Sequence, residues 1–370
     1  MADAYCSTGK GDRNLTITLE RMLSTRNIRG KQVLVKPNMV DPATPKACSN
    51  PGRLKLVIDT LKRAGADEVF LGDLPAKFVY DLAERDGIPF NLEAAYHSLG
   101  YDRTGVALAD LTQLSVTYYE ADRLNLVTAQ TERIQVPIYA LPQDTILVNM
   151  TLPKHHGNFN FSGTSKNLMG LVPPGERGAA FHNGFERAAQ EVLRQASLPQ
   201  SQENLVAAIY ALVDNFGKVQ DNITDPFLKQ QAAHAFLLHD SGQLDDISLE
   251  YHLDHVINAG VLVGLRNHIL SAAQQSIHIL DGTYLLTRHE HDGTPQKTNF
   301  AIVGSDPAVV DSVALMKLGL DPHEVPYLRQ IMPQRPSLEG DVGVSLPQQS
   351  LLPKELFRAP NGFTFSRVRL

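Results

Sequence analysis

QVLVKPNMVDPATPKACSNPGRLKLVIDTLKRAGADEVFLGD, residues 32–73, decides the fold. Gln32-Val-Leu-Val-Lys36 is a short β-branched run closed by Pro37 and Asn38, and a Pro-rich loop follows through Pro45. Ser49 or Asn50 is placed to cap a helix, and Pro51 suits its first turn. Leu54, Val57, Ile58 and Leu61 recur at helical spacing until Gly65 ends it. Glu68-Val-Phe-Leu-Gly72 is a second buried strand. Strand, helix-bearing crossover and strand in this order make a parallel unit, because parallel strands cannot be joined by a tight hairpin.

Working outward, a helical region runs from Lys77 to Leu99, and alternating runs at Leu114–Tyr119 and Arg133–Tyr139 predict peripheral strands. Thr145–Asn149 is an apolar run of strand length. Phe185–Ala196 and Asn204–Phe216 are amphipathic helices, whereas Thr224–Asn267 shows no clear period and receives no assignment. Ser276–Leu280 and Phe300–Gly304 are strands, each followed by Asp, and Pro307–Leu318 is a helix. The pattern predicts an α/β fold: an open, mostly parallel sheet with flanking helices and its site at the carboxyl ends of the strands. Two lobes are expected, residues 1–200 with a site block at 154–182 and residues 201–345, followed by a tail over 346–370.

With 370 residues, 43% of them hydrophobic, the chain can bury a sizeable core. Lys and Arg number 34 against 40 Asp and Glu, and a net charge of −6 gives no electrostatic footprint for nucleic acid. Cys6 and Cys48 are too few for a disulfide framework or an iron–sulfur set, and reduced thiols are the simpler reading. The N-terminal stretch has no apolar core of leader length, and no later segment holds 18 consecutive apolar residues. The expectation is a soluble, cytoplasmic protein with a small-molecule substrate and neither a membrane nor a nucleic-acid partner. Oligomeric state stays open.

The chemistry gathers in KHHGNFNFSGTSKNLMGLVPPGERGAAFH, residues 154–182. Other strand ends add Lys36, Asn38, Asp73, Asn149, Asp281 and Asp306. Such ends converge in a parallel sheet, and both signs of charge beside imidazoles suit a small polar or anionic ligand. Gly163-Thr164-Ser165-Lys166 is a small-residue turn whose amides and hydroxyls are placed to face an anion or cofactor, with Lys166 adding charge. It lacks the Walker order. The rigid turn Pro173–Arg177 brings Arg177 and His182 back toward that region, while neighbours His155 and His156 point apart. His289 and His291 lack helical metal spacing and read as a polar loop.

At these residues the chain resembles a widespread prokaryotic family catalogued as domain of unknown function 362. VLVKPN at 33–38, the run from Asn50 to Asp73, SGTSKNLMGLVPPGERGAAFH at 162–182, ILDG at 279–282 and GSDPAVVDSVA at 304–314 carry the resemblance. Members with a ferredoxin-like segment have clustered cysteines, and this chain has none, so no iron–sulfur cluster is expected. More distantly, the order His156, Lys166, His182 is similar to the nickel-pincer lactate racemase family. That similarity implies His156 as proton-transfer base, Lys166 as covalent tether of a pincer nucleotide and His182 as nickel ligand, with His155 the second metal candidate. Lys36, Asn38 or Arg177 would hold a substrate carboxylate, and Lys154 and Asn149 join them as candidate substrate contacts. Where that family has a further catalytic histidine, this chain has Gly-Asp-Leu-Pro at 72–75, which implies either Asp73 as base in its place or a different chemistry. The expected function is a metal-assisted enzyme, isomerase-like or redox, acting at a hydroxylated carbon. A metal-dependent lyase or hydrolase and a non-catalytic anion- or metal-binding protein are the alternatives.

Overall fold

The computed structural model describes residues 4–8, 12–156, 160–182, 184–244, 246–271, 275–288 and 293–332. After β1 (Ala4–Thr8) and α1 (Arg13–Leu23) come β2 (Gln32–Lys36), α2 (Pro51–Arg63) and β3 (Glu68–Leu71). β2 and β3 pair in parallel, as the opening stretch predicts. Asn50 is the cap of α2: its Oδ1 accepts from the N–H groups of Gly52 at 3.0 Å and Arg53 at 3.1 Å. Pro51 in the first turn forfeits nothing, since its missing N–H would have had no helical partner.

The helical region at 77–99 is two helices, α3 (Lys77–Arg85) and α4 (Leu92–Ser98). Gly87 takes the left-handed conformation at φ +67° and Pro89 cannot donate, so one helix cannot run through. β4 (Ala107–Leu108) follows, then β5 (Val116–Leu124) and β6 (Thr131–Tyr139), which form a separate antiparallel pair. β7 (Ile146–Thr151), β8 (Lys154–His156), β9 (Asn160–Ser162), α5 (Thr164–Asn167) and α6 (Pro174–Phe181) carry the site block.

The two amphipathic helices are the first of four, and the unassigned stretch folds as the other two. α7 (Gly184–Gln195), α8 (Gln202–Val219), α9 (Pro226–Asp240) and the 26-residue α10 (Asp246–Ser271) are followed by β10 (Ser276–Thr287), β11 (Thr294–Gly304), α11 (Pro307–Leu318) and α12 (Pro326–Ile331). α10 packs against β5 on one side and against α6, α7, α9 and α12 on others. Apolar residues therefore surround it, and it has no single stripe for a periodicity reading to find.

The sheet order is β1-β11-β10-β7-β2-β3-β4, with β8 beside β10 and β9 beside β8. β10, β7, β2, β3 and β4 run parallel, while β11 joins β10 antiparallel and β1 in turn joins β11 antiparallel. Because β10 lies against β7, a boundary at residue 200 does not divide the sheet. The later segment contributes strands to it and adds a helical layer with its own core around Phe185, Phe216, Leu253 and Ile257. The tail at 346–370 lies outside the described residues. Alternation in β2 sends Val33 and Val35 toward Leu54 and Ile58 on one face, and Leu34 toward Leu168 and Phe181 on the other.

From β2 the chain moves outward to β3 and β4, then returns across to β7 and onward to β10. The carboxyl ends of β2 and β7 are thus neighbours whose following connections depart in opposite directions, and a crevice opens there. Among the described residues no helix is long and apolar enough to cross a membrane.

Candidate functional site

The crevice holds a cavity of about 360 Å³, within the range of small-molecule sites. Lys36 and Asn38 enter from the end of β2, Asp73 from the end of β3, Lys154 and His156 from β8, Lys166 from α5 and His182 from the end of α6. The three groups singled out in the sequence therefore meet. Lys166 Nζ lies 2.5 Å from His156 Nε2, and the His156 ring stacks on that of His182 with centroids 5.9 Å apart and planes 9° from parallel. Two-residue alternation in β8 puts Lys154 and His156 on the cavity side and turns His155 away, its Nδ1 3.1 Å from the Arg288 carbonyl oxygen.

Asp73 is a counter-ion and not the open base expected of it. One oxygen faces Lys36 Nζ at 2.7 Å and the other accepts the Met39 N–H at 2.9 Å, with the Lys36 side chain only 1% exposed. Burial pulls the Lys36 pKa below the ordinary lysine value, and the Asp73 charge opposes that pull. Gly170 roofs the pair so closely that a Cβ would overlap both Lys36 Nζ and Asp73 Oδ1.

Behind this wall runs a chain of amides. Lys154 Nζ donates to Asn38 Oδ1 at 2.9 Å and to the Ala47 carbonyl at 2.8 Å, and Asn38 Nδ2 donates to Asn167 Oδ1 at 2.9 Å. Asn167 Nδ2 donates to Asn149 Oδ1 at 2.7 Å, and Asn149 Nδ2 donates to the Thr164 carbonyl at 2.8 Å and faces His278 Nδ1 at 3.1 Å. With Nδ1 accepting, the remaining proton sits on Nε2 and is donated to Ser276 Oγ at 3.0 Å. Burial lowers the His278 pKa to about 3, which keeps this ring neutral as the network requires. Asn149 is therefore an internal bracket and not a substrate contact. Arg177 is similarly committed: its Nε, Nη1 and Nη2 donate to the carbonyls of Val172, Leu74, Pro75 and Gly170 at 2.6–3.0 Å. Four of its five N–H groups clasp backbone, so it lends the cavity charge more than a ligand fork.

The turn at Gly163-Thr164-Ser165 does not offer its amides to a ligand. Asp311 from α11 already fills it, accepting the Thr164 N–H at 2.6 Å and hydroxyl at 2.8 Å on Oδ1 and the Ser165 N–H at 2.9 Å on Oδ2. The anion that this turn binds is part of the protein. Burial raises the Asp311 pKa from 3.8 to about 6 against the lowering effect of those bonds. A carboxyl raised on folding takes up protons in the native state, so its stabilisation is full below the unfolded value and is lost as pH climbs through the folded one. Unfolding free energy should fall between pH 4 and 6 by on the order of 3 kcal/mol through this group. Subtracting denaturant titrations of Asp311→Asn from those of the native chain isolates that slope. Equal slopes in both proteins would assign it elsewhere.

His155 and His182 do not form the metal pair expected of them, since His155 faces the opposite side of β8. Among the described residues no group of three or more His, Cys, Asp or Glu side chains could hold a metal ion. The turn expected to cradle a nucleotide is filled by Asp311. His289 and His291 lie outside the described residues. Asp281 and Asp306 serve elsewhere: Asp281 pairs with Arg53 at 3.0 Å, and Asp306 caps α11 and pairs with Arg266. Asn167, His278 and Asp311 were missed in the sequence. The available signal was a polar residue inside an apolar run, SIHIL for His278 and PAVVDSVAL for Asp311.

A family model described as Domain of unknown function (DUF362) matches residues 33–316. No curated protein matches the sequence. A crystal structure of a protein from Thermotoga maritima is similar over 81% of this chain, at 12% identity and a TM-score of 0.41, and the chain spans 57% of that protein's length.

Proposed function

Starting from the fact that this chain belongs to the domain of unknown function DUF362 family, whose description names no activity, we propose that it is an enzyme of isomerase-like, proton-transferring type acting on a small anionic substrate. The observation that carries this reading is the contact of His156 Nε2 with Lys166 Nζ at 2.5 Å inside a cavity lined by five cationic side chains and two carboxylates. Those cations, Lys36, Lys77, Lys154, Lys166 and Arg177, favour an anion. Both carboxylates are already paired, Asp73 with Lys36 and Asp81 with Lys77. Stacking on His182 fixes the plane of the His156 ring, which aims its nitrogen and limits the reorganisation a proton transfer needs.

The chemistry supported is removal and return of a proton at a carbon next to a carboxylate or carbonyl, with His156 as the base. The test is exchange of carbon-bound hydrogen for deuterium, followed by NMR, in a panel of 2-hydroxy and 2-oxo acids in heavy water. The native chain should catalyse exchange in a subset. His156→Ala should slow it about 10²–10⁴-fold while ligand affinity changes little. Binding without exchange across the panel would favour the second reading, a non-catalytic anion carrier, which the rigidly bonded Lys154 and Arg177 would also serve.

A further inference from the structure

We propose that Lys166 is a nucleophile that forms an imine with the carbonyl carbon of a small oxo compound bearing a carboxylate or phosphate. The proposal rests on the reading of the cavity as an anion site and adds a carbonyl to its ligand. Three observations point to it. First, α5 is four residues long, and Thr164, Ser165 and Asn167 are buried in bonds to the framework while Lys166 is half-buried and lines the cavity. The fixed turn gives its amine a defined origin. Second, Nζ lies against another basic nitrogen, His156 Nε2, at 2.5 Å. Two nitrogen bases share such a contact only when one donates and the other accepts, so the ammonium has a proton acceptor already in line. Third, Lys36, Lys154 and Arg177 line the same cavity as this pair, and their charge favours a ligand bearing a carboxylate or phosphate beside Nζ.

Atoms balance without an oxidant or reductant. Lys166 passes a proton to His156 Nε2, the freed amine adds to the carbonyl carbon, and a second proton moves from that nitrogen to the former carbonyl oxygen, giving a neutral carbinolamine. The hydroxyl then takes the proton held on His156 and leaves as water while the nitrogen lone pair forms the C=N bond. The net change is ammonium plus carbonyl to protonated imine plus one water, with His156 returned to its neutral form. The imine draws electrons from the adjacent carbon and so eases the proton transfer proposed above.

The experiment uses the full chain with glyoxylate as probe and borohydride as trapping reductant, read by intact mass and by peptide mapping, with glyoxylate binding measured separately by calorimetry. One carboxymethyl group on Lys166 is the expected product. Lys166→Arg should abolish it, and His156→Gln should slow it about hundredfold, the usual reach of a positioned acid–base group. Lys62→Ala, on the exposed part of α2, should leave it unchanged. Glyoxylate binding without an adduct on Lys166 overturns the nucleophile and leaves the anion site standing. Neither binding nor adduct removes both. Adducts spread over surface lysines at the same rate as on Lys166 also overturn the proposal.

Discussion

Asp73→Ala should lower folding stability by about 3–5 kcal/mol, because it strands a lysine in the interior without its counter-ion. Lys36 Nζ lies 2.7 Å from the carboxylate, and both side chains are almost fully buried. An ion of that kind has lost its water, and the mutual attraction is what offsets that loss. Removing the acid leaves the cost and takes away the compensation. The double substitution Lys36→Met with Asp73→Leu removes both charges, and it should recover most of the stability while losing the anion affinity of the cavity. Denaturant midpoints of the three proteins decide the matter. A single Asp73→Ala within 1 kcal/mol of the native chain would mean that water reaches Lys36 in solution.

Gly163→Ala should cost about 3 kcal/mol, the upper part of the range for overpacking, although it adds only a methyl group. An added Cβ would overlap Asp311 Oδ1 and the ring of Phe161, a buried residue with little room to move. Asp311 must then withdraw from the Thr164 and Ser165 N–H groups, leaving a buried carboxyl and two amide donors poorly paired. Because the same turn presents Lys166 to His156, the damage should reach the site. Denaturant titration reads the stability. The rate of borohydride-trapped labelling at Lys166 reads the placement of the amine, and it should fall along with stability. A Gly163→Ala protein with native stability and native labelling would show that the turn has slack that the contacts at Asp311 and Phe161 do not suggest.

How far the site could be read from the chain depends on the range of the forces involved. β2, α2 and β3 were legible because their signals are local: β-branched runs, a capping Asn50, and a Leu54–Leu61 stripe that each act within a few residues. His156, Lys166 and His182 were legible as candidates for the same reason, since they crowd one short segment. Asp311 lies 147 residues from the Thr164 it bonds, and Asn149 lies 129 from His278, so no local pattern announces either contact. The same distance explains the corrections. A turn rich in small residues offers its amides to any anion, and its own sequence cannot say that α11 will deliver one first.

By itself the sequence determined the parallel architecture, the strand ends at which polar groups emerge, and the segment in which bases concentrate, because alternation, helical spacing and turn chemistry are properties of neighbours along the chain. Only the tertiary structure decided which of those polar groups face the cavity and which spend their bonds on the framework. Asp73, Asn149, Arg177 and the Gly163–Ser165 turn all look available in the sequence, yet each is claimed by a partner elsewhere. A buried polar group must find such a partner or bear the full loss of hydration, and that partner is chosen by packing in three dimensions.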